Sequence, residues 1–116
     1  MLWEKLLDIK QKFLCTGAIL SCNAGHPYQE RIDIMLFDNM EEDRGVGLIC
    51  TTGYYSGRIM VQLPRESMYE GKNLSVKWLI DNWNHWVLPE TDMNEVFVSA
   101  EGYDAFSVLN KNLIRT

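Results

Sequence analysis

Cysteine and histidine are the side chains of this sequence with the widest chemical repertoire, but their spacing does not build a reactive site. Cys22 and His26 lie four residues apart in one loop, an arrangement that resembles half of a metal site. A structural zinc ion needs four ligands, and the sequence holds no second Cys/His pair. A cysteine nucleophile needs an orienting base, which His26 or His85 could supply only if the fold carried it to a thiol. We expect no metal, no cofactor and no catalytic residue.

The carboxylates do not form a catalytic pair either. Asp33 and Asp38 are close in sequence, but along an extended strand they fall on opposite faces, where they cannot share one reacting group. Neither a GxGxxG nor a Walker A sequence occurs, so no phosphate-binding loop is indicated. We therefore predict that the protein is not an enzyme.

Negative charge is concentrated in two stretches of the chain. The sequence has 16 acidic and 11 basic residues, and the segment DNMEED, residues 38–43, holds four acids and no base. Residues 78–110 hold six more acids, again with no Lys or Arg. An acidic surface can steer a basic partner and raise the association rate, whereas the ordinary alternative is that solvated loops collect acids for solubility. For the short loop we favour the ordinary alternative, but Glu41, Glu42 and Asp43 remain partner-binding candidates.

Length and composition restrict the class of protein. A chain of 116 residues with 47% hydrophobic residues supports one globular domain, residues 1–116. The longest apolar runs are far shorter than the roughly 20 residues that span a bilayer, and no basic-then-apolar secretory signal is present. Three cysteines without a CxxC pattern indicate reduced, mostly buried thiols and a cytoplasmic location. The net charge of −5 and the lack of a basic stripe argue against nucleic-acid binding.

The apolar pattern predicts an α+β fold. Residues 2–13 have the spacing of an amphipathic helix, and a second, tryptophan-rich helix is expected over residues 74–87. Strands are expected at residues 31–38 and 93–100, and residues 46–52 and 58–63 should form a hairpin. The tail from Ala105 is ambiguous between helix and strand. We predict an antiparallel sheet of about five strands, with an N-terminal helix and the Trp-rich helix packed on it.

The second helix carries a tryptophan that does not belong to its apolar side. At about 100° per residue, the apolar positions of this helix share one arc, which contains Val76, Leu79, Ile80, Trp83, Trp86 and Val87. Trp78 lies outside that arc, beside Asp81, Asn82 and His85. Either another segment covers Trp78, which we favour, or its ring is available to a partner, as tryptophan often is at interfaces.

The loop between the hairpin strands is a second aromatic candidate. Tyr54 and Tyr55 stand between Gly53 and Gly57, two glycines that permit positive φ. The tyrosines either cap the edge of the sheet, which we slightly favour, or form a rigid contact loop that offers an apolar ring and a hydroxyl together.

The whole pattern resembles the immunity protein 45 family of bacterial polymorphic-toxin immunity proteins. The likeness covers nearly the whole chain and is strongest in TGYYSGRIMVQLPRESMY and WLIDNWNHWVLPETDMNEVFVSAEGY. Its most distinctive positions are Thr52-Gly53, Leu63-Pro64, Trp78, Asn82-Trp83, Trp86, Pro89-Glu90 and Gly102-Tyr103. The resemblance implies a non-catalytic protein that binds and neutralises one cognate toxin, but it supplies no contact residues.

Two other functions remain open from the residues alone. A small-ligand binding module or small metabolic enzyme would have a deep pocket lined by Trp and Tyr, and a structural subunit would have a large apolar self-interface. Under the immunity hypothesis the partner is a toxin, with no nucleic acid and no membrane involved. Its binding residues would be Trp78, Asp81, Asn82, His85, Tyr54, Tyr55, Glu41, Glu42 and Asp43.

Overall fold

Two antiparallel sheets and one α-helix form the part of the chain that the structure describes. The computed structural model describes residues 2–40 and 43–105. Its strands are β1 (Glu4–Lys5), β2 (Phe13–Leu14), β3 (Ile19–Asn23), β4 (Arg31–Phe37), β5 (Arg44–Cys50), β6 (Ile59–Pro64), β7 (Met68–Tyr69), β8 (Asn73–Ser75) and β9 (Phe97–Ser99). The helix α1 spans Val76–Trp86, and short 3-10 turns occupy Leu6–Asp8, Arg65–Ser67 and Met93–Glu95.

The larger sheet has six strands in the order β1-β9-β3-β4-β5-β6. Strand β4 alternates as its sequence predicts, so that Ile32, Ile34 and Leu36 are buried on the core side. In the register between β3 and β4, Leu20 lies opposite Ile34, which places both on the core side. The hairpin of β5 and β6 confirms the prediction for residues 46–52 and 58–63, with two register shifts between its strands.

The smaller sheet, in the order β2-β8-β7, leads directly into the helix. Strands β7 and β8 are joined by a tight turn in which Glu70 and Gly71 both have positive φ, and the Lys72 N–H donates to the Tyr69 carbonyl at 3.2 Å. Ser75 ends β8 and caps α1, because its side-chain oxygen accepts from the Trp78 N–H. The small sheet thereby fixes where α1 begins.

One hydrophobic core joins both sheets and the helix. Leu74 of β8 and Leu79 and Trp83 of α1 are fully buried in the same cluster as Leu20 and Leu48 of the large sheet. Trp86, Val87 and Ile80 are half-buried and pack against that cluster. The apolar side of α1 therefore faces the core.

The α+β class is confirmed, but the predicted arrangement of one five-stranded sheet carrying two helices does not fit. The described residues contain nine strands in two sheets and a single α-helix. The N-terminal helix over residues 2–13 is wrong: the Leu6 N–H donates to the Val96 carbonyl, and the Lys12 carbonyl accepts from the Val76 N–H. These long-range bonds satisfy backbone groups that a helix would have paired locally. Of the apolar residues with helical spacing, Leu6 and Leu14 are buried and Ile9 is half-buried against the core, whereas the others are exposed.

The strand predicted at residues 93–100 is shorter in the structure, where Met93–Glu95 is a 3-10 turn and β9 covers Phe97–Ser99. Most of the tail for which helix and strand were both considered, residues 106–116, lies outside the described residues.

Residues that follow β9 are fastened to the large sheet by a polar network. The Tyr103 hydroxyl donates to Asp33 Oδ2 at 2.8 Å, and Thr51 Oγ1 lies 2.8 Å from the same hydroxyl. Burial raises the pKa of Tyr103; the Thr51 bond lowers it, and Asp33 raises it again. Asp33 is therefore a structural acceptor, and its partner is Tyr103 rather than Asp38.

We expect Gly102→Ala to destabilise the protein by about 1–3 kcal/mol. Gly102 has φ +76°, and a Cβ placed on it would lie 2.2 Å from the Gly17 carbonyl oxygen, which is backbone and cannot move alone. Gly71→Ala is the matched control, because Gly71 has φ +74° with nothing within 4 Å of a Cβ. Thermal unfolding of both variants separates the cost of the clash with the Gly17 carbonyl from the cost of a positive φ at alanine. Equal losses of stability in the two variants would show that the clash contributes nothing.

Candidate functional site

The outward side of α1 brings together four of the residues proposed from sequence. Trp78, Asp81, Asn82 and His85 follow one another at helical spacing, with Asp81 and His85 exposed and Trp78 and Asn82 half-buried. The Trp78 ring lies 6.0 Å from the Trp86 ring, centroid to centroid. His85 meets the same Trp86 ring edge-on at 6.0 Å. Trp78 is thus half-buried: it packs against the core cluster as well as against Trp86 of its own helix, and part of its ring remains exposed.

Two of these four side chains, Asp81 and Asn82, already form hydrogen bonds within the helix. Asp81 Oδ2 accepts from Lys77 Nζ at 2.6 Å, one turn earlier, and this bond raises the pKa of Lys77. Asn82 Nδ2 donates to the Trp78 carbonyl at 2.9 Å. A partner that uses Asp81 therefore either displaces Lys77 or accepts the pair as one polar unit.

The loop Thr51–Gly57 presents one tyrosine and anchors the other. Tyr54 is 84% exposed, whereas Tyr55 is half-buried and packs against the core. The Tyr55 ring meets Tyr28 edge-to-face at 5.4 Å and Tyr54 at 5.2 Å, and the Arg58 guanidinium lies 4.5 Å above it. Tyr55 therefore closes the edge of the fold, while the Tyr54 ring projects into solvent.

The tyrosine loop is held by its own backbone. The Gly57 N–H donates to the Cys50 carbonyl at 2.7 Å, and Ser56 Oγ donates to the Gly53 carbonyl at 2.8 Å. Gly53 and Gly57 have positive φ, as their place in the sequence predicts, and the Gln29 side chain packs on Gly53 where a Cβ would be. This bonding keeps the loop in one shape before any partner arrives.

Asp38, the first residue of the acidic loop, lies beside basic side chains that the sequence analysis did not associate with it. Asp38 and Asp43 are exposed, and Glu41 and Glu42 lie outside the described residues. Asp38 lines a cleft of about 570 Å³ together with residues from four other segments, including Arg44, Arg65 and Lys72. The sequence missed this cleft because its basic residues are far apart along the chain.

A second cavity missed by the sequence is an apolar groove of about 470 Å³ between the small sheet and α1. Tyr69, Val76 and Ile80 form its walls, with Lys12 and Asp81 at the rim. Beside it, Phe13 is 40% exposed and stacks on Tyr69 at 5.5 Å. The N-terminal segment was expected to be helical, so its extended course past this groove could not be foreseen.

The described residues show no direct contact between the three candidate surfaces. Within residues 2–40 and 43–105, no hydrogen bond, ion pair or ring contact joins the four α1 residues to the tyrosine loop or to Asp38 and Asp43. A partner that used all of them would have to cover a broad area.

Two of the three cysteines are buried and one is exposed. Cys22 and Cys50 are buried, and burial raises the pKa of the Cys22 thiol to about 12. Such a thiol is not ionised at neutral pH and is unsuited to act as a nucleophile. The exposed His26 side chain has no bond to Cys22 in the described part of the chain. Cys15 is exposed and lies just after β2, so it is an exception to the expectation of mostly buried thiols.

We expect iodoacetamide at pH 8 to modify Cys15 in the folded protein and to leave Cys22 and Cys50 unmodified. The thiolate is the reactive form, and at pH 8 the Cys22 thiolate fraction is about one in ten thousand, given its pKa of about 12. Mass spectrometry of peptides after timed labelling measures this, with the urea-unfolded protein as control. Labelling of native Cys22 as fast as Cys15 would contradict the assignment.

Among the described residues, no three His, Cys, Asp or Glu side chains are grouped so that they could hold a metal ion. In the same residues, no helix combines the length and apolar character needed to cross a membrane.

These features define a small domain of antiparallel sheets and one helix that presents aromatic and charged side chains at its surface. The family model described as Immunity protein 45 matches residues 6–98. The chain therefore belongs to the immunity protein 45 family, and this membership implies an immunity protein of a toxin system. The comparisons with curated proteins and with solved structures give no match.

Proposed function

We propose that this protein is a non-catalytic, single-domain immunity protein that binds one cognate toxin in the cytoplasm and neutralises it. The observation that carries the proposal is the family match over residues 6–98. The buried, un-ionised Cys22 thiol and the structural use of Asp33 support binding rather than chemistry, because both groups are committed to the fold.

Binding is assigned to an acidic, aromatic surface centred on the outward side of α1. Trp78 supplies ring area at low conformational cost, and Asp81, Asn82 and His85 surround it with polar groups that can fix orientation. Tyr54 adds a second exposed aromatic on a loop that is bonded in one shape. A ring surrounded by polar groups is the usual composition of an interface hot spot.

The experiment that tests the proposal is a growth-protection assay. The product of the gene immediately upstream is induced in cells that carry either this protein or an empty vector, and viable counts are compared. We expect the upstream product to stop growth in the empty-vector cells and growth to continue when this protein is present. Loss of viability in both strains would remove the immunity assignment for this pair and favour the small-ligand alternative, for which the apolar groove is the candidate site.

Replacement of Glu41, Glu42 and Asp43 by lysine should slow association with the toxin, most strongly at low salt. The loop acids act by long-range attraction on a basic partner, and this attraction is screened within about 10 Å at 0.1 M salt. Stopped-flow association rates across a salt series measure the effect.

The control for the loop variant is the replacement of Glu4, Asp8 and Glu30 by lysine, which makes the same change in net charge at exposed positions elsewhere. If both triple variants slow association equally, the effect belongs to net charge. If neither does, the loop has no steering role.

A further inference from the structure

The polar cleft that Asp38 lines is formed by residues that are far apart along the chain. Five segments meet there: the residues between β2 and β3, the residues after β4, the first residues of β5, the turn after β6 and the β7–β8 turn. The cleft has a volume of about 570 Å³. Its walls carry the polar side chains of Thr16, Asn39 and Asn73, and the Asn39 side-chain amide donates to the Gly45 carbonyl.

The floor of the cleft is tightly packed backbone. A Cβ on Gly45 would lie 2.5 Å from Ser67 Oγ and 2.7 Å from the Pro64 carbonyl oxygen, so this position admits only glycine without local movement. Ser67 is fully buried, and its hydroxyl donates to that same Pro64 carbonyl at 2.6 Å. The start of β5, which carries Arg44, is therefore packed closely against the end of β6, which leads directly into Arg65, and Arg44 pairs in register with Pro64.

Among the described residues that line the cleft, three are cationic and one is anionic, although the whole chain has a net charge of −5. Arg44, Arg65 and Lys72 are the cations in its walls, and Asp38 is the carboxylate. One oxygen of Asp38 is already occupied, because it accepts from the Met40 N–H at 2.9 Å. Within the described residues, the Arg65 guanidinium and the Lys72 ammonium have no hydrogen-bond or ion-pair partner. They are held over one cavity by separate turns.

We propose that this cleft receives an acidic segment of the cognate toxin, whose carboxylates pair with Arg65 and Lys72. The inference rests on the proposed immunity function and adds the chemistry of one contact on the partner. Guanidinium groups bind carboxylates in a two-pronged geometry, and a lysine ammonium adds a point charge. All three cations are exposed, where an isolated ion pair contributes little. An acidic segment that arrives as part of a larger interface is held by the other contacts as well, which favours a protein ligand over a free anion.

The toxin must then present two kinds of charge. Its acidic segment meets the cleft, and its basic surface meets Asp81 of α1 and the acids of the acidic loop. Such a two-signed pattern fixes the orientation of the complex, because a rotated toxin would bring like charges together.

The test compares two double variants that change the net charge equally. Arg65→Glu with Lys72→Glu reverses the cleft, and Lys5→Glu with Lys10→Glu reverses two exposed lysines elsewhere. Affinity for the upstream gene product is measured by calorimetry at two salt concentrations, and the fold of each variant is checked by thermal unfolding. We expect the cleft variant to bind at least about tenfold more weakly than the control variant and to lose part of the salt dependence.

Each outcome decides the inference. Equal affinities of the two variants would overturn it and leave the immunity function intact. Failure of the unmodified protein to bind or neutralise the toxin would remove both. A second titration, with inorganic phosphate alone, tests the other occupant: saturable binding that is lost in the cleft variant, together with unchanged toxin affinity, would make the cleft a small-anion site and overturn the proposal.

Discussion

Trp83→Ala should lower the free energy of unfolding by about 3–5 kcal/mol, the range for removal of a buried aromatic side chain. Trp83 is 1% exposed and lies in the cluster where α1 meets both sheets. Natural domains are stable by only about 5–15 kcal/mol, so this variant should melt more than about 10 °C lower or fail to fold. Thermal and urea unfolding measure the loss.

Two further variants make the Trp83 result interpretable. Trp83→Phe keeps an aromatic ring and removes the indole N–H, whose nitrogen is buried with no partner in the described residues, so its loss should be clearly smaller. Trp3→Ala removes a tryptophan that is 39% exposed and should cost less than about 1 kcal/mol. A Trp83→Ala protein as stable as the Trp3 variant would contradict the position of α1 on the core.

Trp78→Ala should weaken toxin binding by about 30-fold, or about 2 kcal/mol, the threshold of an interface hot spot. The ring is half-buried against Trp86, so the same variant should also lose about 1–2 kcal/mol of stability. Calorimetry below the melting transition of the variant separates the two effects, because binding is then measured on folded protein.

Asp81→Lys tests the same surface without the packing loss. Asp81 is exposed and forms an ion pair with exposed Lys77, so reversal of its charge should change stability by less than about 0.5 kcal/mol while weakening binding to a basic toxin surface. Asp8→Lys is the same substitution at an exposed position of the N-terminal segment. If Trp78→Ala and Asp81→Lys bind as tightly as Asp8→Lys, the interface lies elsewhere on the protein.

Local patterns in the sequence predicted the elements that fold by local rules. The strict alternation of Ile32, Ile34 and Leu36 identifies β4, and two glycines mark the ends of the tyrosine loop. The N-terminal helix was wrong because apolar spacing does not reveal which backbone partner is available. Residues 4–5 and 13–14 pair with β9 and β8, strands far away along the chain.

The candidate sites also combine features that the local sequence predicted with features that depend on the fold. The polar neighbours of Trp78 showed that it lies off the apolar arc, but the ring contact with Trp86 and the Lys77–Asp81 pair required coordinates. The basic cleft could not be predicted, because Arg44, Arg65 and Lys72 come together only through the pairing of β5 with β6 and the turn after β7. The net negative charge of the chain therefore gave no indication that three basic side chains lie together in the cleft.

The measurement that tests the central claim most directly is co-purification of the tagged protein with the product of the gene immediately upstream, followed by calorimetry. We expect a complex of defined stoichiometry with a nanomolar dissociation constant, in which the partner has lost its toxicity. A well-folded protein that forms no complex with this product and gives no protection against it would contradict the immunity function, while the fold would stand.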